Sequence, residues 1–247
     1  MMKDFLYLLI LLLIVISGCA NEQDQTPEFA PDPNAIAIMP LGASRVEGAR
    51  PTYESYRYEL WRLMINSGWN IDYIGTREDD AAYPALNGQG FDNDHEGRGG
   101  WTSSELLSGI NQWLEDTGNP DIVLLSSPGG NDALTGQSFD QAVENINEII
   151  DIIQAANTNV TVIIEQMAPG TDELMAEGNL ASFISQMNQE VLTMAEEQST
   201  VNSQVLVVDM FTDFKQSMLA DDVHYNAAGA LFVAQRYFEV LSQVMTD

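Results

Sequence analysis

From residue 35 onward, short apolar runs rich in β-branched residues alternate with longer segments of helical period, and no other feature constrains the fold as tightly. A run of five to seven such residues between turn signals is long enough for a strand buried on both faces and too short for a helix. The strand candidates are 35–39, 70–74, 121–126, 159–165 and 204–208. Helix candidates lie between and after them, near 52–67, 103–116, 139–156, 178–198 and 226–245. The third is the clearest, because Phe139, Val143, Ile146, Ile149, Ile150 and Ile153 recur at spacings of three and four.

Strands that alternate with amphipathic helices predict a parallel sheet covered on both faces, that is, an α/β fold built as a three-layer α/β/α sandwich. Five strands joined by right-handed crossovers predict a flavodoxin-like five-stranded parallel sheet of order 2-1-3-4-5. Ligands in such sheets bind at the carboxyl ends of the strands, where two neighbouring strands send their loops in opposite directions. Here that point lies between the loops after residues 39 and 126.

The first residues stand apart from this pattern. Lys3 precedes an apolar run from Phe5 to Ile16, followed by Ser17, Gly18 and Cys19. The run is short for a membrane span, and small residues before a cysteine resemble the site that bacterial lipoprotein signal peptidase cleaves. The expected organisation is a lipoprotein signal peptide over 1–18, a flexible tether over 19–34 starting at a lipidated Cys19, and a single folded domain over 35–247. The alternatives are an uncleaved signal anchor and an ordinary secretory signal in which Cys19 plays no part. Cys19 is the single cysteine, so the domain has no internal disulfide and is held by its apolar core. The expected location is extracytoplasmic, on a membrane through that anchor.

Nine basic residues against 37 acidic ones give a formal charge of -28, with the acids spread along the chain. Such a surface repels polyanions, which excludes nucleic acid as a partner.

Three segments carry residues suited to chemistry. After the first strand, Gly42-Ala43-Ser44-Arg45 places a hydroxyl just beyond a strand end. After the third, Ser127-Pro128-Gly129-Gly130-Asn131 offers glycines for close approach and an amide donor able to stabilise an oxyanion. Before the last helix, Asp221 and His224 lie three residues apart, so that one tight turn would let the carboxylate orient the imidazole. Singly each reads more readily as a turn or cap. Together they fall where this topology brings them to one rim of the sheet.

This arrangement resembles the SGNH (GDSL-like) hydrolase superfamily. Within it, Tyr56-Arg57-Tyr58, Leu60-Trp61 and the run Asp92-Asn93-Asp94-His95-Glu96-Gly97-Arg98-Gly99-Gly100-Trp101 resemble the carbohydrate esterase family three, or acetylxylan-esterase-like, branch. The resemblance implies a serine esterase with Ser44 as nucleophile, His224 as base and Asp221 as its orienting partner. It implies an oxyanion hole made by Ser44, Gly100 and Asn131, with no cofactor and no metal. One departure is Ala43, where the family carries an aspartate that supports the oxyanion loop. The α/β-hydrolase alternative would want glycine at position 46, which is Val46.

The expected substrate is a short-chain acyl ester, above all acetyl, on carbohydrate, with Trp101 and Arg45 as substrate-contacting residues. Trp101 reads equally as a core aromatic. The rivals are an SGNH lysophospholipase or thioesterase, which would need a long apolar groove that these glycine-rich loops do not suggest, and a degenerate glycan-binding scaffold. Asp92, Asp94 and Glu96 could also be read as cation ligands, although the full calcium-loop pattern is missing and His95 reads as a partner shaping this loop.

Overall fold

A computed structural model of the chain describes residues 32–245. The signal peptide, Cys19 and nearly all of the expected tether lie outside these residues. Six strands and eight α-helices follow one another as β1 (Ile36–Gly42), α1 (Ser44–Glu47), α2 (Arg57–Asn66), β2 (Ile71–Tyr73), β3 (Glu96–Gly97), α3 (Ser103–Thr117), β4 (Ile122–Leu125), α4 (Gly130–Thr135), α5 (Phe139–Ala156), β5 (Thr161–Gln166), α6 (Asp172–Met175), α7 (Leu180–Gln198), β6 (Val205–Asp209) and α8 (Ala227–Val244).

All strand pairs are parallel, in the order β2-β1-β4-β5-β6, with the two-residue β3 set against the end of β1. Leaving β3 aside, this is the expected 2-1-3-4-5 order. Successive side chains of the central strands feed two separate cores, as the two-residue period of a strand requires. Met39, Leu41, Val123, Leu125, Val162 and Ile164 pack with α3, α5 and α7. Ile38, Ile122, Leu124 and Ile163 pack on the other face with α2 and α8. Because both faces are covered, the strands read as continuous apolar runs, which is why they were legible.

β1 runs three residues further than expected, through Pro40 to Gly42. Proline lacks the N–H that a central strand normally donates. The main-chain groups of Ile38 and Gly42 face the β2/β3 side, since Ile38 O accepts from Ile74 N and Gly42 O from Arg98 N. Pro40 faces the same side. It falls between the Ile38–Tyr73 and Leu41–Glu96 pairings, where no strand lies opposite and no ladder bond is lost.

The extension carries the chain to Gly42, whose φ of +156° turns it directly into α1. A Cβ at this position would stand 2.9 Å from Ser126 O, so β1 and β4 leave the sheet in close contact.

Candidate active site

Ser44 is the first residue of α1 and His224 lies in the loop that enters α8. The sheet brings them together across 180 positions of sequence, with Ser44 Oγ 2.9 Å from His224 Nε2. On the other side of the ring, His224 Nδ1 stands 2.7 Å from Asp221 Oδ2. Asp221 Oδ1 accepts the N–H groups of Val223 and His224 at 2.9 and 2.8 Å, so the carboxylate shapes the turn that carries its own partner. Partial burial works to raise this carboxyl. The His224 and Val223 N–H groups and the imidazole outweigh burial and hold it below the usual aspartate value. Asn226 then caps α8 by accepting from Ala228 and Gly229, while its amide donates to Ser217 O and Leu219 O. Tyr53 lies flat on the imidazole, with ring centroids 3.9 Å apart and 14° between planes. A hydroxyl paired in this way with an oriented imidazole is set up to lose its proton as it attacks a carbonyl.

Candidate donors lie near that hydroxyl, since Asn131 lines the same pocket as Ser44 and a Cβ on Gly99, next to Gly100, would stand 3.9 Å from Ser44 Cβ. Ser44 N opens a helix and has no carbonyl partner within the described residues. Gly100 sits at the apex of a turn with φ +80°, and a Cβ there would meet nothing within 4 Å. The turn is fixed just before its apex. Arg98 N donates to Gly42 O at 2.9 Å, and Gly99 N donates to Glu47 Oε2 at 3.0 Å. Asn131, expected in a loop, lies in the first turn of α4. One of its two amide hydrogens goes to Trp101 O at 2.8 Å, which leaves the second for a ligand.

Arg45, expected to contact substrate, lines the pocket beside Ser44, with most of its side chain buried and its guanidinium donating to main-chain carbonyls. Its Nε donates to Val223 O and one terminal nitrogen to Ala168 O, both at 2.8 Å, while the other reaches Pro169 O at 3.3 Å. It therefore ties the loop after β5 to the loop that carries His224. Below it, the fully buried Glu165 accepts from Ser127 N, Ser127 Oγ and Tyr237 Oη. Burial pushes its pKa up, against the lowering effect of Tyr237, Ser127 and Arg45. Trp101 is half-buried against Trp113, with the Arg98 guanidinium over both rings, so much of its surface serves the core.

The Asp92–Glu96 run forms a separate polar core. Asp92 accepts from Tyr73 N, and Glu96 accepts from Thr76 N and Arg98. His95 Nδ1 accepts from Gly97 N at 2.9 Å, and burial, together with Arg57, Arg77 and Arg98, lowers its pKa to about 2. A histidine held neutral there, away from Ser44, leaves His224 as the only one of the two at the site. Among the described residues no three His, Cys, Asp or Glu side chains converge as a metal site.

Sequence reasoning missed Tyr53, Glu47 and Arg57 as parts of the site's scaffold. It also missed an apolar slot of about 50 Å³ that opens beside Ser44. Its apolar walls come from α4, α6, α7 and the loop after β5, chain segments whose glycines and acids masked their leucines and methionines.

The profile of the GDSL-like lipase/acylhydrolase family matches residues 65–231, more than half of the chain. No curated protein matches the sequence. Among solved structures, an acetyl esterase mutant with an acetate ion superposes with a TM-score of 0.73 at 26% identity, covering 85% of this chain and 97% of that one. A carbohydrate esterase family 3 protein from Talaromyces cellulolyticus gives 0.72 at 26% identity over the same shares. The Clostridium thermocellum family 3 carbohydrate esterase gives 0.68 at 28% identity, covering 86% of this chain and all of that one. Together with the profile match, these likenesses define a serine ester hydrolase. The chain belongs to the GDSL-like lipase/acylhydrolase family.

Proposed function

We propose that this esterase removes short acyl groups, acetyl among them, from carbohydrate, with Ser44 as nucleophile, His224 as general base and Asp221 as the group that orients the imidazole. The observation that carries this reading is the continuous relay from Asp221 through His224 to Ser44. Ser44 Oγ attacks the acyl carbon while its proton passes to His224 Nε2. The oxyanion forms against Ser44 N, Gly100 N and the second amide hydrogen of Asn131, and converging donors of this kind contribute several kcal/mol to the transition state. The proton then passes from His224 to the departing alkoxide, and water repeats the sequence to free the acid. No cofactor takes part. The carbohydrate half of the proposal is supported by the likeness to family 3 carbohydrate esterases and by Tyr53, a half-exposed aromatic ring beside His224 that offers a surface for a sugar to stack on.

Turnover of p-nitrophenyl acetate and of acetylated xylo-oligosaccharide tests both halves. Ser44→Ala and His224→Ala abolish hydrolysis, Asp221→Asn leaves a residue, and Asn131→Ala loses roughly 10²–10³ in kcat. Wild-type turnover by Ser44→Ala would refute the mechanism. Failure of the oligosaccharide to outperform the simple ester in kcat/KM would remove the carbohydrate.

The same proposal places the enzyme outside the cytoplasm on a diacylglyceryl anchor at Cys19, on the strength of the apolar run and the small residues before that cysteine. Each buried methylene of such an anchor contributes roughly 0.8 kcal/mol. The full-length protein expressed in bacteria partitions into detergent, and Cys19→Ser releases it. A Cys19→Ser protein as membrane-bound as wild type would indicate the uncleaved signal anchor instead.

A further inference from the structure

We infer that the slot beside Ser44 is the acyl subsite and that it favours acyl groups of four to five carbons over acetyl. This rests on the reading of Ser44 as nucleophile. Besides Ser44 Oγ, the tetrahedral carbon carries three substituents, which must point in three directions. The leaving alkoxide lies toward His224 Nε2, which returns the proton, and the oxyanion lies toward Ser44 N, Gly100 and Asn131. The remaining direction is open to the acyl chain. The slot is bounded near the nucleophile by Ser44, Arg45, Ser127, Gly130, Asn131 and Val223, while the rings of His224 and Tyr53 take no part in it. It therefore lies on the acyl side of the nucleophile, away from the leaving group.

Its chemistry and size select the chain. Leu134, Met167, Leu174, Met175, Leu180 and Ile184 supply the apolar walls. An acetyl methyl needs about as much room as one water, roughly 10–15 Å³ on the scale of a water-sized sphere. A volume of about 50 Å³ holds about three or four such groups, which is the tail of butyryl or pentanoyl. An acetyl group would leave most of the slot empty or wet. A longer chain leaves the slot past Leu134, Leu174 and Leu180 for a much wider trough of about 720 Å³, in which Phe139 and Phe183 are interspersed with Gln137 and Glu177. In so wide a space, methylenes beyond the leucines are covered on one side only and gain less than those inside the slot.

The test is kcat/KM for p-nitrophenyl acetate, butyrate, pentanoate, octanoate and palmitate, with Ser44→Ala as the control for background. Each methylene taken into the slot raises kcat/KM about fourfold, so butyrate exceeds acetate by about 10–15-fold, and octanoate and palmitate fall below the optimum. Met175→Phe, which fills the slot, lowers the butyrate-to-acetate ratio about tenfold. Leu134→Ala, at an exposed wall position, moves the optimum toward octanoate. A steady decline from acetate, or a palmitate optimum, would overturn the inference and leave the esterase intact. Ratios unchanged in both variants would do the same. Absence of Ser44-dependent hydrolysis of every ester would instead overturn the function on which the inference rests.

Discussion

At residue scale, the departure at Ala43 is answered by Glu47, one turn further along. The aspartate expected there supports the oxyanion loop, and Glu47 Oε2 takes the N–H of Gly99, next to the donor glycine. Its other oxygen pairs with Arg77, a half-exposed pair of the kind that contributes about 0–1 kcal/mol. Glu47→Ala therefore changes Tm little and KM little, yet lowers kcat roughly 10- to 100-fold by loosening the Gly100 turn. Steady-state kinetics beside a thermal melt separate these effects, and a loss in Tm with unchanged kcat would assign Glu47 to stability alone. Asp92 behaves differently. Burial, with Asp94 and Asp72 adding to it against the Tyr73 N–H, raises its pKa to about 8. The folded protein then holds a proton that the unfolded chain releases near pH 4, so this group's contribution is complete below that pH and is lost as pH rises toward 8. Asp92→Asn keeps an acceptor for Tyr73 N and removes the titration. It melts with wild type at pH 4 and above it at pH 8, by at least about 2–4 °C for each kcal/mol recovered. Equal melting temperatures at pH 8 would show that Asp92 is ionised in the fold. Neither role was legible in the sequence, where Glu47 is one acid among 37 and Asp92 is part of a motif whose burial has no local signature.

At the scale of elements, Ser44, the proposed nucleophile, rides on a helix of only four residues, too short to hold itself, with no side-chain cap. Its position comes from outside. Arg57, buried in α2, donates to Val46 O and Glu47 O and also binds Asn93 O and Asp79, while Ser55 Oγ donates to Val46 O. From the other side β3 presses against it, because a Cβ on Gly97 would stand 2.3 Å from Glu47 N. Gly97→Ala must therefore push α1 or β3 aside, and it lowers both Tm and kcat. Retention of wild-type kcat would show that Ser44 does not depend on this contact. The long helices were legible because each carries its own periodic stripe or cap, such as the reciprocal Thr102–Glu105 box opening α3. α1, α4, α6 and β3 were not. Pieces of two to six residues are specified by partners elsewhere in the chain, and no window of sequence contains those partners.

At the scale of the whole molecule, charge is distributed as unevenly as structure is regular. No lysine, arginine or histidine occurs between Arg98 and Lys215, so α3, α4, α5, α6 and α7 carry their acids without a single intervening cation. Helices stacked along one side of a sheet with charges of one sign repel one another, and salt screens that repulsion over a Debye length of about 10 Å at 0.1 M and about 3 Å at 1 M. Tm therefore rises as sodium chloride increases from 0.1 to 1 M. A flat or falling curve would mean that this face is not under electrostatic strain. The architecture and the Ser44, Asp221 and His224 positions were legible at this scale because strand order and the switch point between β1 and β4 say where distant loops meet. The slot was not, since its walls come from four segments whose meeting depends on side-chain packing. The 180 positions that separate Ser44 from His224 also govern the order in which the enzyme comes into being. Contacts so far apart in sequence close late, after the loop entropy between them has been overcome. A chain emerging from its N-terminus presents the serine first and the base only when α8 docks on α2. Until then Ser44 has no imidazole beside it, so under the proposed mechanism esterase activity arrives as the last event of folding.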